Sequence, residues 1–188
     1  MPGRHPACRI TVTARALPLL LALLAQSPCA AALEGRVIHV SDGDTLTVLD
    51  DRMQSHKIRL AGIDAPERGQ PFGSKATEAL AALAKNQRVT IDGGKTDRYQ
   101  RRIGIVKVAT AGCATCAPGV DVGLALVAAG LAWHYRAYER EQSSADREEY
   151  REAESGARSR RDGLWTDAAP MPPWDWRRAR REGSAARH

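Results

Sequence analysis

Along residues 34–60 the apolar positions fall in short β-branched runs cut by acidic turns. Glu34 to Val40 carries Val37, Ile38 and Val40, which predicts a strand. Asp42-Gly43-Asp44 predicts a tight turn, with the glycine free to take a positive φ. Thr45 to Leu49 alternates apolar and polar positions and predicts a second strand. Past Asp50-Asp51, Gln54 to Leu60 predicts a third, so the three form a meander.

Helical spacing appears next. Ser74 is placed to cap a helix over Lys75 to Lys85, with Leu80 and Leu83 on one face and alanines around them. Arg88 to Ile91 and Ile103 to Val108 predict a fourth and a fifth strand, joined by a polar loop rich in Gly, Asp and Arg. Asp121 is placed to cap a helix over Val122 to Ala129, whose apolar face is Leu124, Leu126 and Val127. A third helix from Ser144 to Arg160 is charged nearly all round, with Tyr150, Ala153 and Ala157 as a thin inner stripe. The prolines at 170, 172 and 173 argue against helix in the tail. The density of Trp165, Trp174 and Trp176 argues that the tail packs back over the body. Five short strands with a helix between the third and fourth fit an α+β, mainly β fold: a five-stranded OB-type barrel with three α-helices.

The start of the chain has a different character. Arg4, Arg9 and Arg15 precede an apolar run from Ala16 to Ala25, and Ala30-x-Ala32 offers a cleavage site. Residues 1–32 therefore predict a signal peptide, and a secreted or periplasmic protein. An uncleaved anchor helix is the alternative, but the run is short of the roughly 20 apolar residues a span needs. That division leaves 33–177 as one domain and 178–188 as a basic tail expected to be disordered. The formal charge of +6 favours an anionic partner. The leader holds three arginines and no acid, so half of that excess leaves with it. Cys113 and Cys116 remain beyond the leader. A local disulfide is the first reading, free thiols the second, and metal or redox chemistry the third, since one C-x-x-C falls short of a zinc site's four or so ligands.

Asp44 leads the second strand, and Asp64 and Glu67 follow the third in Gly62-Ile63-Asp64-Ala65-Pro66-Glu67. If those strand ends meet, the acids repel one another unless positive charge lies between them. A hard cation such as Ca²⁺ suits them, because it takes roughly six to eight oxygen ligands and keeps open positions for water and phosphate. Pro66 restrains Ala65 to extended geometry and so fixes its carbonyl. Arg59 and Arg101 add guanidinium forks that bind phosphate bidentately. Together these are the parts for hydrolysing a phosphodiester.

The segments Val40-Ser41-Asp42-Gly43-Asp44-Thr45, Ile58 to Glu67 and Thr96 to Arg101, with Asp162-Gly163-Leu164-Trp165 and Pro172 to Arg177, resemble the staphylococcal nuclease family from about Val37 to Arg177. The resemblance implies an OB-fold nuclease acting on DNA and RNA with low sequence specificity, leaving 3′-phosphate ends and using one Ca²⁺ per chain. It implies Asp44 and Asp64 as calcium carboxylates, the Ala65 carbonyl as a further ligand, and Asp42 as an outer acid. It implies Glu67 as the general base, Arg59 and Arg101 as phosphate-binding groups, and Tyr99 and Tyr138 as aromatics near the nucleotide. Gln100 stands where the family's reference enzyme has glycine, which strains the backbone if that position needs a positive φ. His134 is expected to be a surface or partly packed histidine rather than a catalyst. No obligate protein partner and no membrane association are implied, and a monomer is expected. The competing readings are an OB-fold module that binds nucleic acid without cutting it, and a zinc hydrolase built on the C-x-x-C.

Overall fold

A computed structural model describes residues 32–108 and 119–185. The leader and the pair Cys113 and Cys116 lie outside these residues. Five strands build the body: β1 (Leu33–Asp42), β2 (Thr45–Leu49), β3 (Ser55–Leu60), then, after the two-residue β4 (Ile63–Asp64) and α1 (Gly73–Ala84), β5 (Arg88–Thr96) and β6 (Arg102–Val108). They pair in the order β3-β2-β1-β5-β6. The first four pairings are antiparallel, and β6 then closes the ring on β3 in parallel, with Ile58 opposite Arg102 and Leu60 opposite Gly104. The result is the closed five-stranded barrel of an OB fold.

Alternation explains the core. Val37, Leu46, Val48, Ile58, Leu60, Val89, Ile91 and Val106 point inward and are buried, with Ala76, Leu80 and Ala84 of α1 closing one end. Glycine is required where the ring is tight: a Cβ on Gly104 would sit 2.5 Å from the Ile91 side chain. β5 runs five residues past Ile91, through a bulge between Asp92 and Lys95, and its outer residues are exposed. That hairpin extends beyond the core, so apolar patterning gave it no signal, and the expected polar loop is mostly strand.

α2 (Val122–Ala128) follows the short β7 (Val120–Asp121), and the Asp121 side chain accepts from Leu124 N as its cap. β8 (Trp133–His134) pairs with β4, with Asp64 opposite Trp133. α3 (Ser144–Arg160) is capped by Ser143 and buries Tyr150, Glu154 and Ala157. α1 starts at Gly73 rather than Lys75, because the turns Glu67–Gln70 and Gln70–Gly73 lead straight into it. Its N-cap is Phe72 in the left-handed region, and Ser74 lies inside the helix.

The tail corrects two expectations and meets a third. Residues Pro173–Ala185 form a fourth helix, α4. Pro173 stands at its first position, where a proline's missing N–H costs nothing and its φ already suits the helix. The segment from 178, expected to be disordered, is helical as far as Ala185. The tryptophans do pack back: Trp133 lies 4.4 Å from Trp165 and 5.6 Å from Trp174 between ring centroids, in edge-on contacts.

Candidate active site

The β1–β2 turn, the end of β3, the β4 strand and the loop before α1 meet along one cleft of about 1050 Å³. Gly43 makes the meeting possible. A Cβ there would lie 2.7 Å from Ala65 Cβ and 2.8 Å from Ala76 Cβ. Its φ is not in the positive region, so close approach, rather than the turn conformation expected from sequence, is what demands glycine. The main chain locks the junction, with Leu60 N donating to the Asp44 carbonyl at 2.8 Å and Ala65 N to Asp44 Oδ2 at 3.3 Å.

Asp44 and Asp64 converge on one positive group. Arg59 Nη1 pairs with Asp44 Oδ2, and Arg59 Nη2 donates to Asp64 Oδ1 at 3.0 Å and to the Ile63 carbonyl at 3.2 Å. Arg59 is therefore held on both carboxylates. Asp64 is fully buried, and burial pushes its carboxyl above the ordinary range while Arg177 and Arg59 pull it down. Asp42 lies one step out. It accepts from Asp44 N at 3.2 Å, and its own burial and the Asp44 charge push it up.

Arg101 enters from the β5–β6 hairpin. Asp97 accepts from the Arg101 main chain at 2.9 Å and from Arg101 Nε at 2.8 Å. Burial opposes the effect, but these bonds hold Asp97 below the usual carboxylate range. Arg101 Nη1 donates to Thr45 Oγ1 at 3.1 Å, and Thr45 Oγ1 donates to Asp44 Oδ1 at 2.9 Å. Gln100 takes a φ of 61°, so the strain expected at this position is present. Tyr99 and Tyr138 are exposed on the cleft's rim.

Tyr135 and Arg177 also line the cleft and stand outside the expected site residues. Tyr135 packs against Tyr138 at 5.4 Å and Trp174 at 5.5 Å, and burial, then the Asp64 charge, raises its hydroxyl pKa. Arg177 of α4 donates through Nη2 to Asp64 Oδ2 at 2.7 Å and through Nη1 to Asp64 Oδ1 at 3.3 Å and to Glu67 Oε1. The signal for Arg177 is its place in Pro172 to Arg177, a segment that carries the family resemblance and whose tryptophans, rather than its arginine, are assigned a role. His134 is buried, with Nε2 3.0 Å from Gln142 Oε1, and does not line the cleft.

The donor set suits a hard cation. Asp44 and Asp64 touch the same guanidinium, so their oxygens face a position where positive charge is stable, and carboxylate with carbonyl oxygen is the chemistry such ions take. Among the described residues no group of three or more His, Cys, Asp or Glu is arranged to hold a metal, so main-chain oxygen and water would complete the shell.

The sequence profile described as staphylococcal nuclease homologue matches residues 57–167. The chain is 42% identical over 164 residues to the protein ParB of Escherichia coli, covering 87% of this chain and 90% of that one. It is 39% identical over 165 residues to a micrococcal nuclease of Shigella flexneri, covering 88% and 92%. An uncharacterized endonuclease of Escherichia coli O157:H7 is 35% identical over 161 residues, covering 86% and 95%.

Proposed function

The chain belongs to the staphylococcal nuclease homologues and is a nuclease acting on nucleic acid, and from that premise we propose a Ca²⁺-dependent endonuclease of low sequence specificity that cuts DNA and RNA outside the cytoplasm. The observation that carries this reading is the convergence of Asp44, Asp64 and Glu67 with Arg59, Arg101 and Arg177 in one cleft. Phosphates are common to every sequence, so contacts made by such groups carry no sequence selectivity.

Asp44, Asp64 and the Ala65 carbonyl would hold the cation, with Asp42 in the outer shell. When bound, the ion supplies charge stabilisation to a phosphoryl oxygen. Glu67, half-exposed beside that position, accepts a proton from the attacking water. The water oxygen bonds to phosphorus as the P–O5′ bond breaks, and the departing O5′ takes up a proton from solvent, leaving a 3′-phosphate and a 5′-hydroxyl. Arg101, held through Nε and Nη2 by Asp97 and through Nη1 by Thr45, stabilises charge developing on the phosphoryl oxygens. Arg59 contributes by fixing Asp44 and Asp64 relative to each other. Tyr99 and Tyr138 offer faces for unselective base stacking. Export rests on the leader, and Cys113 and Cys116 would form a disulfide in an oxidising compartment.

The test is a digestion time course on plasmid and RNA with Ca²⁺, Mg²⁺ or chelator, with Glu67→Gln alongside. Digestion of both substrates with Ca²⁺, lost in the variant, is the expected result. A folded wild-type protein that retards single-stranded DNA but shortens nothing would replace this reading with a binding module.

A further inference from the structure

The segment 171–177 grips the loop that carries Glu67 from two sides. Gln70 Nε2 donates to the Met171 carbonyl at 2.7 Å, and Gln70 Oε1 accepts from Glu67 N at 3.0 Å, which ties the Glu67 main chain to the tail. Arg177 Nη1 donates to Glu67 Oε1, which ties the side chain to the same tail. Among the described residues, Arg177 alone bonds the Glu67 carboxylate. Arg177 is itself braced, because its fork also bonds both oxygens of the buried Asp64. The tail is braced in turn by Trp174, packed against Trp133 and Tyr135, and by the buried Pro173. Gly73 seals the other end of the loop: a Cβ there would lie 2.1 Å from the Glu67 carbonyl.

We propose that residues 171–177 are the positioning element for Glu67, with Arg177 the positioning residue for its carboxylate and Gln70 for its main chain. The proposal rests on Glu67 serving as the base. A glutamate on a half-exposed loop has many rotamers, and a proton acceptor works only when held at the right distance from its water. The guanidinium takes Oε1 and leaves the second carboxylate oxygen to accept from water. Arg177 therefore acts on turnover through Glu67, and its effect disappears when Glu67 can no longer serve.

The experiment compares wild type, Arg177→Ala, Arg177→Lys, Gln70→Ala, Glu67→Gln and the double variant Glu67→Gln/Arg177→Ala. Steady-state cleavage of a single-stranded DNA oligomer with Ca²⁺ is measured beside a thermal melt of each. The expected result for Arg177→Ala is a kcat lowered roughly 30-fold or more with KM changed by less than about threefold. Lysine should restore part of the loss, and the double variant should be no slower than Glu67→Gln alone. A kcat for Arg177→Ala within about twofold of wild type would overturn the proposal, and so would a loss that adds in full to that of Glu67→Gln, the mark of direct phosphate contact. If Arg177→Ala does not fold, Gln70→Ala decides: a folded variant with unchanged kcat overturns the proposal, and a lowered kcat non-additive with Glu67→Gln supports it. Near-normal turnover in Glu67→Gln would instead remove the base reading, and this proposal with it.

Discussion

Thr45 Oγ1 donates to Asp44 Oδ1 at 2.9 Å, and the same oxygen accepts from Arg101 at 3.1 Å, so one buried hydroxyl ties a proposed metal carboxylate to a proposed phosphate-binding arginine. Valine has nearly the same shape and cannot make either bond. Thr45→Val is expected to fold and to lose about 10-fold in kcat, in keeping with about 1.5 kcal/mol for a hydrogen bond to a charged group. Steady-state kinetics with a thermal melt checks this. An unchanged kcat would show that the hydroxyl is only a packing group.

Gln100 occupies the left-handed region at φ 61° with no glycine to ease it. Gln100→Gly should raise stability by about 0.5–1 kcal/mol, because relief of the strain exceeds the extra entropy of the unfolded glycine. Calorimetric melting reads the change, and a lowered Tm would mean that Gln100 is held by contacts stronger than its backbone strain.

Gly43 is the hinge point of the site, with Ala65 and Ala76 already at contact distance from where a Cβ would be. Gly43→Ala should cost about 1–3 kcal/mol through overpacking and should lower cleavage as well, since relief of the clash moves Asp44 away from Ala65. Stability and activity measured on one preparation test this coupling, which a variant with wild-type melting would contradict.

Tyr150 donates its hydroxyl to Asp121 Oδ2 at 2.9 Å in the interior, where burial raises the Asp121 carboxyl and the tyrosine bond lowers it. Tyr150→Phe should destabilise the fold by about 1–3 kcal/mol at pH 7. The folded pKa of Asp121 lies above its unfolded value, so the burial penalty is full above the folded pKa, fades as pH falls through it, and is gone below the unfolded value of about 4. Losing the hydroxyl raises that pKa further. The gap between variant and wild type should therefore be widest at neutral pH and narrow in acid. Denaturant unfolding at pH 7 and pH 4 distinguishes this from a pH-independent packing loss.

The barrel was legible because its strands obey a period of two and its turns carry acids and glycine; Thr45 to Leu49 and Ser144 to Arg160 stand where the patterns put them. What escaped had no period to read. β4, β7 and β8 are two residues each, and residues 92–96 form strand outside the core. Pro172-Pro173 read as a helix breaker because a proline before a helix and one inside it look alike without the flanking geometry. The acids and arginines of the cleft were visible through their linked motifs. Arg177 was not assigned to them, since 110 residues separate it from Glu67 and only the docking of the tail on Trp133 brings the two together.

The parallel seam between β3 and β6 also sets a condition on how the molecule comes into being. Ile58 finds its neighbour only when Arg102 arrives, and α1 and β5 lie between the two in the chain. Non-local pairing of this kind is slow, and until it happens the outer margin of β3 is an open row of amides and carbonyls able to recruit a strand from another chain. Arg59 lies on that margin, opposite Ile103 in the finished ring. The partners that hold that arginine, Asp44 and Asp64, stand at the start of β2 and on the short strand just past β3, so the acid pair depends on local chain while the adhesive edge lasts until the distant β6 arrives.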